Sequence, residues 1–197
     1  MDPQQENFDQ SVKILLIGDV CVGKTQLIYR YCENKFLNTY LSTIGVNYNE
    51  KSIDIEGKKI LMKIWDSSGQ ERFKQYTLSG YKGASAIILV YSINDRGSFN
   101  NVITFWTNQI KQYASENVCI LLIGNKIDES NRQVARDEGD AFARQFGFLF
   151  YETSAKEGTN VTDAFYAIVK QITEKQPIPS AEKQHNPPAE KKQCNIF

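Results

Sequence analysis

Residues 18 to 25 read Gly-Asp-Val-Cys-Val-Gly-Lys-Thr, an order of residue types suited to holding phosphate. Gly18 and Gly23 let the backbone N–H groups of Asp19, Val20, Cys21 and Val22 curl around a β-phosphate. Lys24 sets a point charge against the β- and γ-phosphates, and the Thr25 hydroxyl can meet Mg²⁺. An apolar run, Val12 to Ile17, precedes the loop, and Leu27-Ile28 follow it at helical spacing. The loop therefore passes from a buried strand into a helix whose positive N-terminal end favours anions. A glycine-rich turn without chemistry is the plainer reading, and the strand-loop-helix context argues against it. The loop alone leaves kinase, ATPase and GTPase chemistry open.

Three further segments narrow the choice. Asp66-Ser67-Ser68-Gly69-Gln70 closes another strand-like run, which puts a carboxylate at the carboxyl edge of the sheet, where open α/β sheets place ligands. Asp66 can hold Mg²⁺ through a water, the Gly69 N–H can approach a γ-phosphate, and Gln70 can orient a water for in-line attack. An aspartate at a strand end is commonly a turn former; its place downstream of the phosphate loop favours the metal role.

Asn125-Lys126-Ile127-Asp128 follows the run Val118 to Gly124. Asp128 can accept from both guanine N1–H and the 2-amino group. Adenine lacks that amino group and turns a lone pair toward the carboxylate, and sites built on such pairing reject the wrong ligand by about 10⁴ or more. Asn125 can bond the purine edge and tie loops together, and the Lys126 stem can cover one face of the base. In Thr153-Ser154-Ala155-Lys156, after the last strand-like run, the Ala155 N–H can bond guanine O6, with Ser154 and Lys156 beside it.

These loops need a sheet to position them. Strand-like runs at Val12 to Gly18, Lys59 to Asp66, Ser85 to Ser92, Val118 to Gly124 and Phe148 to Glu152 alternate with helical patterns near 24–33, 98–115, 133–146 and 160–175. That alternation predicts a mostly parallel sheet covered on both faces. Val46 to Ile55 instead alternates polar and apolar residues and leads through Glu56-Gly57 into the next run, as an antiparallel edge hairpin would.

The 197 residues carry a net charge of +0, so no basic field points to nucleic acid. Residues 1–10 form a polar extension, 11–175 one nucleotide-binding domain, and 176–197 a Pro-, Glu-, Lys- and Gln-rich tail with too little apolar surface to fold. Cysteines at 21, 32, 119 and 194 have neither zinc-ligand nor disulfide-framework spacing, and a cytoplasmic chain is expected. The final Cys194-Asn195-Ile196-Phe197 fits a prenylation box, its terminal Phe favouring geranylgeranyl.

Ser42-Thr43-Ile44-Gly45-Val46-Asn47-Tyr48, Ile64-Trp65-Asp66, Gly69-Gln70-Glu71-Arg72-Phe73, Tyr81-Lys82-Gly83-Ala84 and Leu89-Val90-Tyr91 together resemble the Rab family of Ras-superfamily small GTPases. The resemblance spans about residues 11 to 175. It implies an α/β P-loop GTPase fold with a six-stranded, mostly parallel sheet, one antiparallel edge strand and helices on both faces. It implies hydrolysis of GTP to GDP with Mg²⁺, slow until an activator arrives, with Gln70 catalytic and Thr25, Thr43 and Asp66 around the metal. Phe36 would stack on guanine opposite Lys126, Tyr40 would lid the phosphates, and residues 67–82 would be switch II. Ile44, Tyr48 and Trp65 would face effectors.

The same resemblance implies a monomer that meets an exchange factor, a GTPase-activating protein and a prenyl-binding chaperone. A lipid on Cys194 would hold it reversibly on the cytoplasmic face of an internal or plasma membrane in vesicle traffic. Several residues depart from the family pattern. Val20 and Cys21 stand where small residues are usual, Ser67-Ser68 replaces Thr-Ala, and Gly80 replaces an aromatic that would join Tyr48 and Trp65. Val20 opens an alternative, a GTP-bound interaction scaffold with little hydrolysis. A small-molecule phosphotransferase is disfavoured by the 125–128 segment.

Overall fold

Five parallel strands and one antiparallel edge strand form a single sheet in the order β2-β3-β1-β4-β5-β6. The computed structural model describes residues 7–37, 46–67 and 80–175; Tyr40, Thr43, Ile44, Gly69, Gln70, Cys194 and most of the switch II span lie outside them. The strands are β1 (Gln10–Ile17), β2 (Val46–Ile55), β3 (Lys58–Ser67), β4 (Ala86–Ser92), β5 (Cys119–Asn125) and β6 (Leu149–Thr153). The helices are α1 (Lys24–Glu33), α2 (Arg96–Asn101), α3 (Thr107–Tyr113), α4 (Arg136–Phe146) and α5 (Val161–Lys175).

The edge hairpin follows from two backbone angles. Glu56 and Gly57 have φ of 53° and 80°, the left-handed pair whose twist matches that of two antiparallel strands. Asp54 accepts from the Gly57 N–H at 2.9 Å, and Ile55 then faces Lys58 across the ladder, with Tyr48 opposite Trp65 further along.

Strand side chains alternate between two apolar layers, so the central strands are apolar on both faces. Ile14 and Leu16 of β1 join Ile88 and Val90 of β4 under α1 and α5, where Tyr31 stacks on Phe165 at 4.0 Å and 5°. Leu15 and Ile17 join Ile87, Leu89 and Tyr91 under α2, α3 and α4, with Phe99, Trp106 and Phe142. Each such fully buried Ile, Leu or Phe stabilises by about 1.5–3 kcal/mol.

One expected helix is not continuous. The span read as 98–115 begins earlier, at Arg96, where the Asp95 carboxylate caps the Ser98 N–H at 3.2 Å. Its middle, Val102–Trp106, is a π-helical turn. The Thr107 N–H reaches the Val102 carbonyl five residues back, and the Thr107 hydroxyl donates to the same oxygen at 2.7 Å. The helix expected from residue 133 starts at Arg136.

The chain leaves β1, forms β3 on one side of it and returns to form β4 on the other. The loop after β1 therefore sits at the topological switch point, where a crevice opens beyond the strand ends.

Candidate functional site

Gly18 to Gly23 form a loop whose backbone is built for close approach. Gly18, Cys21 and Gly23 have φ of 139°, 64° and 100°. A Cβ at Gly18 would lie 2.1 Å from the Val90 carbonyl oxygen, so only glycine lets β1 turn there. Cys21 holds a left-handed angle that costs a side-chain-bearing residue strain.

Lys24 is buried at the first turn of α1 and curls back over the loop, its Nζ donating to the Gly18 and Asp19 carbonyls at 2.8 and 2.7 Å. Burial pushes its ammonium pKa down to about 8, while the nearby Asp66 and Asp19 charges push the other way. The loop thus holds its one lysine pointed at its own centre.

Thr25 and Asp66 meet at the carboxyl edge. The Thr25 hydroxyl donates to Asp66 Oδ2 at 2.6 Å across 41 residues, and Asp66 is buried at the end of β3. A hydroxyl and a carboxylate, both oxygen donors and both beside the phosphate loop, are the ligand chemistry of a hard cation such as Mg²⁺. Among the described residues no cluster of three or more His, Cys, Asp or Glu forms a metal site of its own, so such an ion would need phosphate or water oxygens as well.

Asn125 brings the second half of the site to the first. Its Nδ2 donates to the Val22 carbonyl at 2.9 Å, and its Oδ1 accepts from the Thr153 hydroxyl at 3.0 Å and the Ala155 N–H at 3.2 Å. One buried amide thereby ties the phosphate loop, the end of β5 and the end of β6. The Ser154 hydroxyl donates to Asp128 Oδ1 at 2.6 Å, which orients a carboxylate that is otherwise exposed.

The Ala155 N–H also donates to Asn125 Oδ1 at 3.2 Å, and Phe36 is half-buried against the apolar layer beneath α1 and α5. Tyr48 and Trp65 do form a surface pair, stacked at 5.4 Å and 22°, with the Lys13 ammonium 4.8 Å from the Trp65 ring. Gly80 is buried, and a Cβ there would lie 2.9 Å from Leu15 Cδ1. An aromatic at that position would have to displace Leu15.

Three contributors carry no signal in sequence spacing. Arg30 of α1 donates from Nε to the Ala155 carbonyl at 2.9 Å and from Nη2 to the Lys156 carbonyl at 2.7 Å, bracing the loop after β6. The Asp19 carboxylate accepts from Trp106 Nε1 and Asn101 Nδ2, each at 2.6 Å.

The chain as a whole has counterparts among known proteins. The profile of the Ras family matches residues 13–174. The chain is 49% identical over 166 residues to the Ras-related protein Rab-13 of Bos taurus, covering 84% of this chain and 81% of that one. It is 44% identical over 168 residues to the GTP-binding protein ypt2 of Schizosaccharomyces pombe, 85% of this chain and 84% of that protein. The GTP-binding protein YPTM2 of Zea mays is 46% identical over 176 residues, 89% of this chain and 85% of its own.

Proposed function

Because this chain belongs to the Ras family, as one of its Rab-type small GTPases, we propose that residues 18–25, Asp66, 125–128 and 153–156 form one guanine-nucleotide site. The observation that carries this reading is the Asn125 amide on the Val22 carbonyl. It joins segments 103 residues apart, which supports reading 125–128 and 18–25 as the base-binding and phosphate-binding ends of one ligand's site.

The protein is a GTPase of vesicle traffic, and the site residues divide the work of hydrolysis. Asp128, held by Ser154, accepts from the two donors of guanine, and the Lys126 stem covers the base. The loop N–H groups and the Lys24 ammonium take up charge on the β- and γ-phosphates, where it grows during transfer. Thr25, Asp66 and Thr43 would hold Mg²⁺, which when bound neutralises charge between those phosphates. Gln70 orients a water whose oxygen attacks the γ-phosphorus as its bond to the bridging oxygen breaks, leaving GDP and phosphate. Among the described residues no arginine hydrogen-bonds into the phosphate loop, and intrinsic turnover in the range of about 10⁻⁴ to 10⁻² s⁻¹ is expected before an activating protein supplies one.

Rab-family proteins work with effectors, exchange factors, activating proteins and chaperones. Here the Tyr48–Trp65 pair, with Ile44, is the surface assigned to effectors in the GTP state. No described helix is long and apolar enough to cross a membrane. Membrane residence is assigned to a prenyl group on Cys194, a single lipid whose hold is reversible.

Single-turnover hydrolysis of GTP and ATP by the wild type and by Gln70→Leu tests the site. Slow GTP hydrolysis, abolished acceleration by an activating protein in Gln70→Leu, and no ATP binding are expected. Equal binding of ATP and GTP overturns the assignment of residues 125–128. Cys194→Ser should move the protein wholly to the soluble fraction of cells, and unchanged membrane retention would assign the hold to a protein receptor.

A further inference from the structure

The phosphate loop is gripped from a helix outside the segments proposed to hold the nucleotide. Both oxygens of the Asp19 carboxylate are occupied, Oδ1 by the Trp106 indole N–H and Oδ2 by the Asn101 amide, at 2.6 Å each. Asn101 closes α2, and Trp106 closes the π-helical turn that follows it. Residues five apart lie about 140° apart around an α-helix of 3.6 residues per turn, so an unbroken helix would aim only one of these two side chains at Asp19. A π turn is hydrogen-bonded i→i+5 and takes more residues per turn than an α turn, which brings such residues toward the same side. The extra residue is stabilised within the helix: Val102, whose carbonyl receives both the N–H and the hydroxyl of Thr107, is buried, as is Thr107.

We propose that Asn101 and Trp106 are positioning residues of the nucleotide site, set by the π turn to hold the phosphate loop through Asp19. The hold acts at two levels. Asp19 offers its backbone carbonyl to Lys24, so fixing its side chain fixes one of the two anchors of the lysine that faces phosphate. Asp19 also carries a negative charge next to a polyanion's seat. Two N–H donors on the carboxylate offset that charge and turn it toward the helix, where a loose carboxylate would repel the ligand. Trp106 is 7% exposed and packed in the apolar layer with Phe99 and Ile110, which gives the clamp a rigid base.

This inference rests on reading residues 18–25 as the phosphate loop of a GDP- and GTP-binding site, and the experiment separates the two. Dissociation of a fluorescent GDP analogue is measured from full-length protein with Mg²⁺, for wild type, Asn101→Ala, Trp106→Phe, Asp19→Ala and the double variant Asn101→Ala with Asp19→Ala. Backbone hydrogen exchange of residues 19–22 is followed in the same set. Asn101 is exposed, so its variant keeps the fold, and a Tm within a degree of wild type confirms that.

Asn101→Ala and Trp106→Phe should each speed GDP release by about tenfold, the size of one hydrogen bond to a charged group, and speed exchange in the loop. In the Asp19→Ala background, Asn101→Ala should add almost nothing, since its partner is gone. Unchanged loop exchange in both single variants overturns the clamp whether or not GDP binds. Full additivity with Asp19→Ala overturns it as well. Failure of the wild type to retain GDP overturns the site reading alone, and loop exchange then decides the clamp.

Discussion

The Asn125 side-chain amide lies against Gly23 so closely that a Cβ on that glycine would sit 2.3 Å from Asn125 Nδ2. Gly23 serves two ends: its φ of 100° shapes the phosphate loop, and its missing side chain admits the amide that joins that loop to β5 and β6.

Gly23→Ala should therefore fail on both counts, and Asn125→Ala should fail through its partners. The second change removes three hydrogen bonds and leaves buried groups on Val22 and Thr153 to find new ones, at about 1–3 kcal/mol for each left unsatisfied. Thermal unfolding and GDP affinity should fall together in both variants. A variant that lost affinity with an unchanged Tm would show that Asn125 acts on the base alone.

Asp128→Asn should relax base choice. Ser154 keeps one oxygen of that carboxylate engaged, so the substituted side chain stays in place while its acceptor pair becomes one acceptor and one donor. Each lost charged hydrogen bond costs about 1.5–3 kcal/mol. Competition binding should show GDP weakened by one to several orders of magnitude and xanthosine diphosphate, which offers an oxygen where guanine has its amino group, gaining ground. Undiminished guanine preference would move the specificity elsewhere.

Val20 is 37% exposed on the phosphate loop, beside the Asp19 that the helix holds still. Its β-branched side chain has little freedom to fold away, and displacing the attacking water or a partner's arginine by about 1 Å costs on the order of 10²-fold. Val20→Gly should raise activator-stimulated hydrolysis at least tenfold with GDP affinity little changed. Identical stimulated rates in the two proteins would show that the loop accommodates valine.

Glu138 accepts from Arg96 at 2.6 Å and from the Ala135 N–H at 2.9 Å, and these bonds draw its carboxyl pKa down to about 2, the Arg96 bond most. A folded-state value below the unfolded one means stability that is present above about pH 4.5 and lost as pH falls toward 2. Glu138→Gln should lower Tm slightly at pH 7, less in high salt because the pair is exposed. The difference should vanish near pH 2, and a constant difference across that range would assign the effect to packing.

Much of the candidate site is legible in the chain itself. The phosphate loop, the Glu56-Gly57 hairpin and the strand that ends in Asp66 are contiguous segments, and their chemistry follows from backbone angles, donors and side-chain order within a few residues. Apolar runs bounded by turns were enough to infer a parallel sheet with one antiparallel edge, because burial on both faces leaves its mark on each strand by itself. What brings the pieces to one place is different in kind. Asn125 reaches Val22 over 103 residues, Arg30 reaches Ala155 over 125, and Trp106 reaches Asp19 over 87. Those distances close only because β4, β5 and β6 line up on one side of β1 and the helices cross over them. The π turn belongs to the same class: an apolar pattern of helical period continues through residues 98–115, and only packing against the phosphate loop decides that Asn101 and Trp106 share a side. For the same reason nothing in the order of residues 153–156 announces that the Ala155 N–H lies against Asn125. A donor's type is written in the chain, while its partner is chosen by the strands that fold next to it.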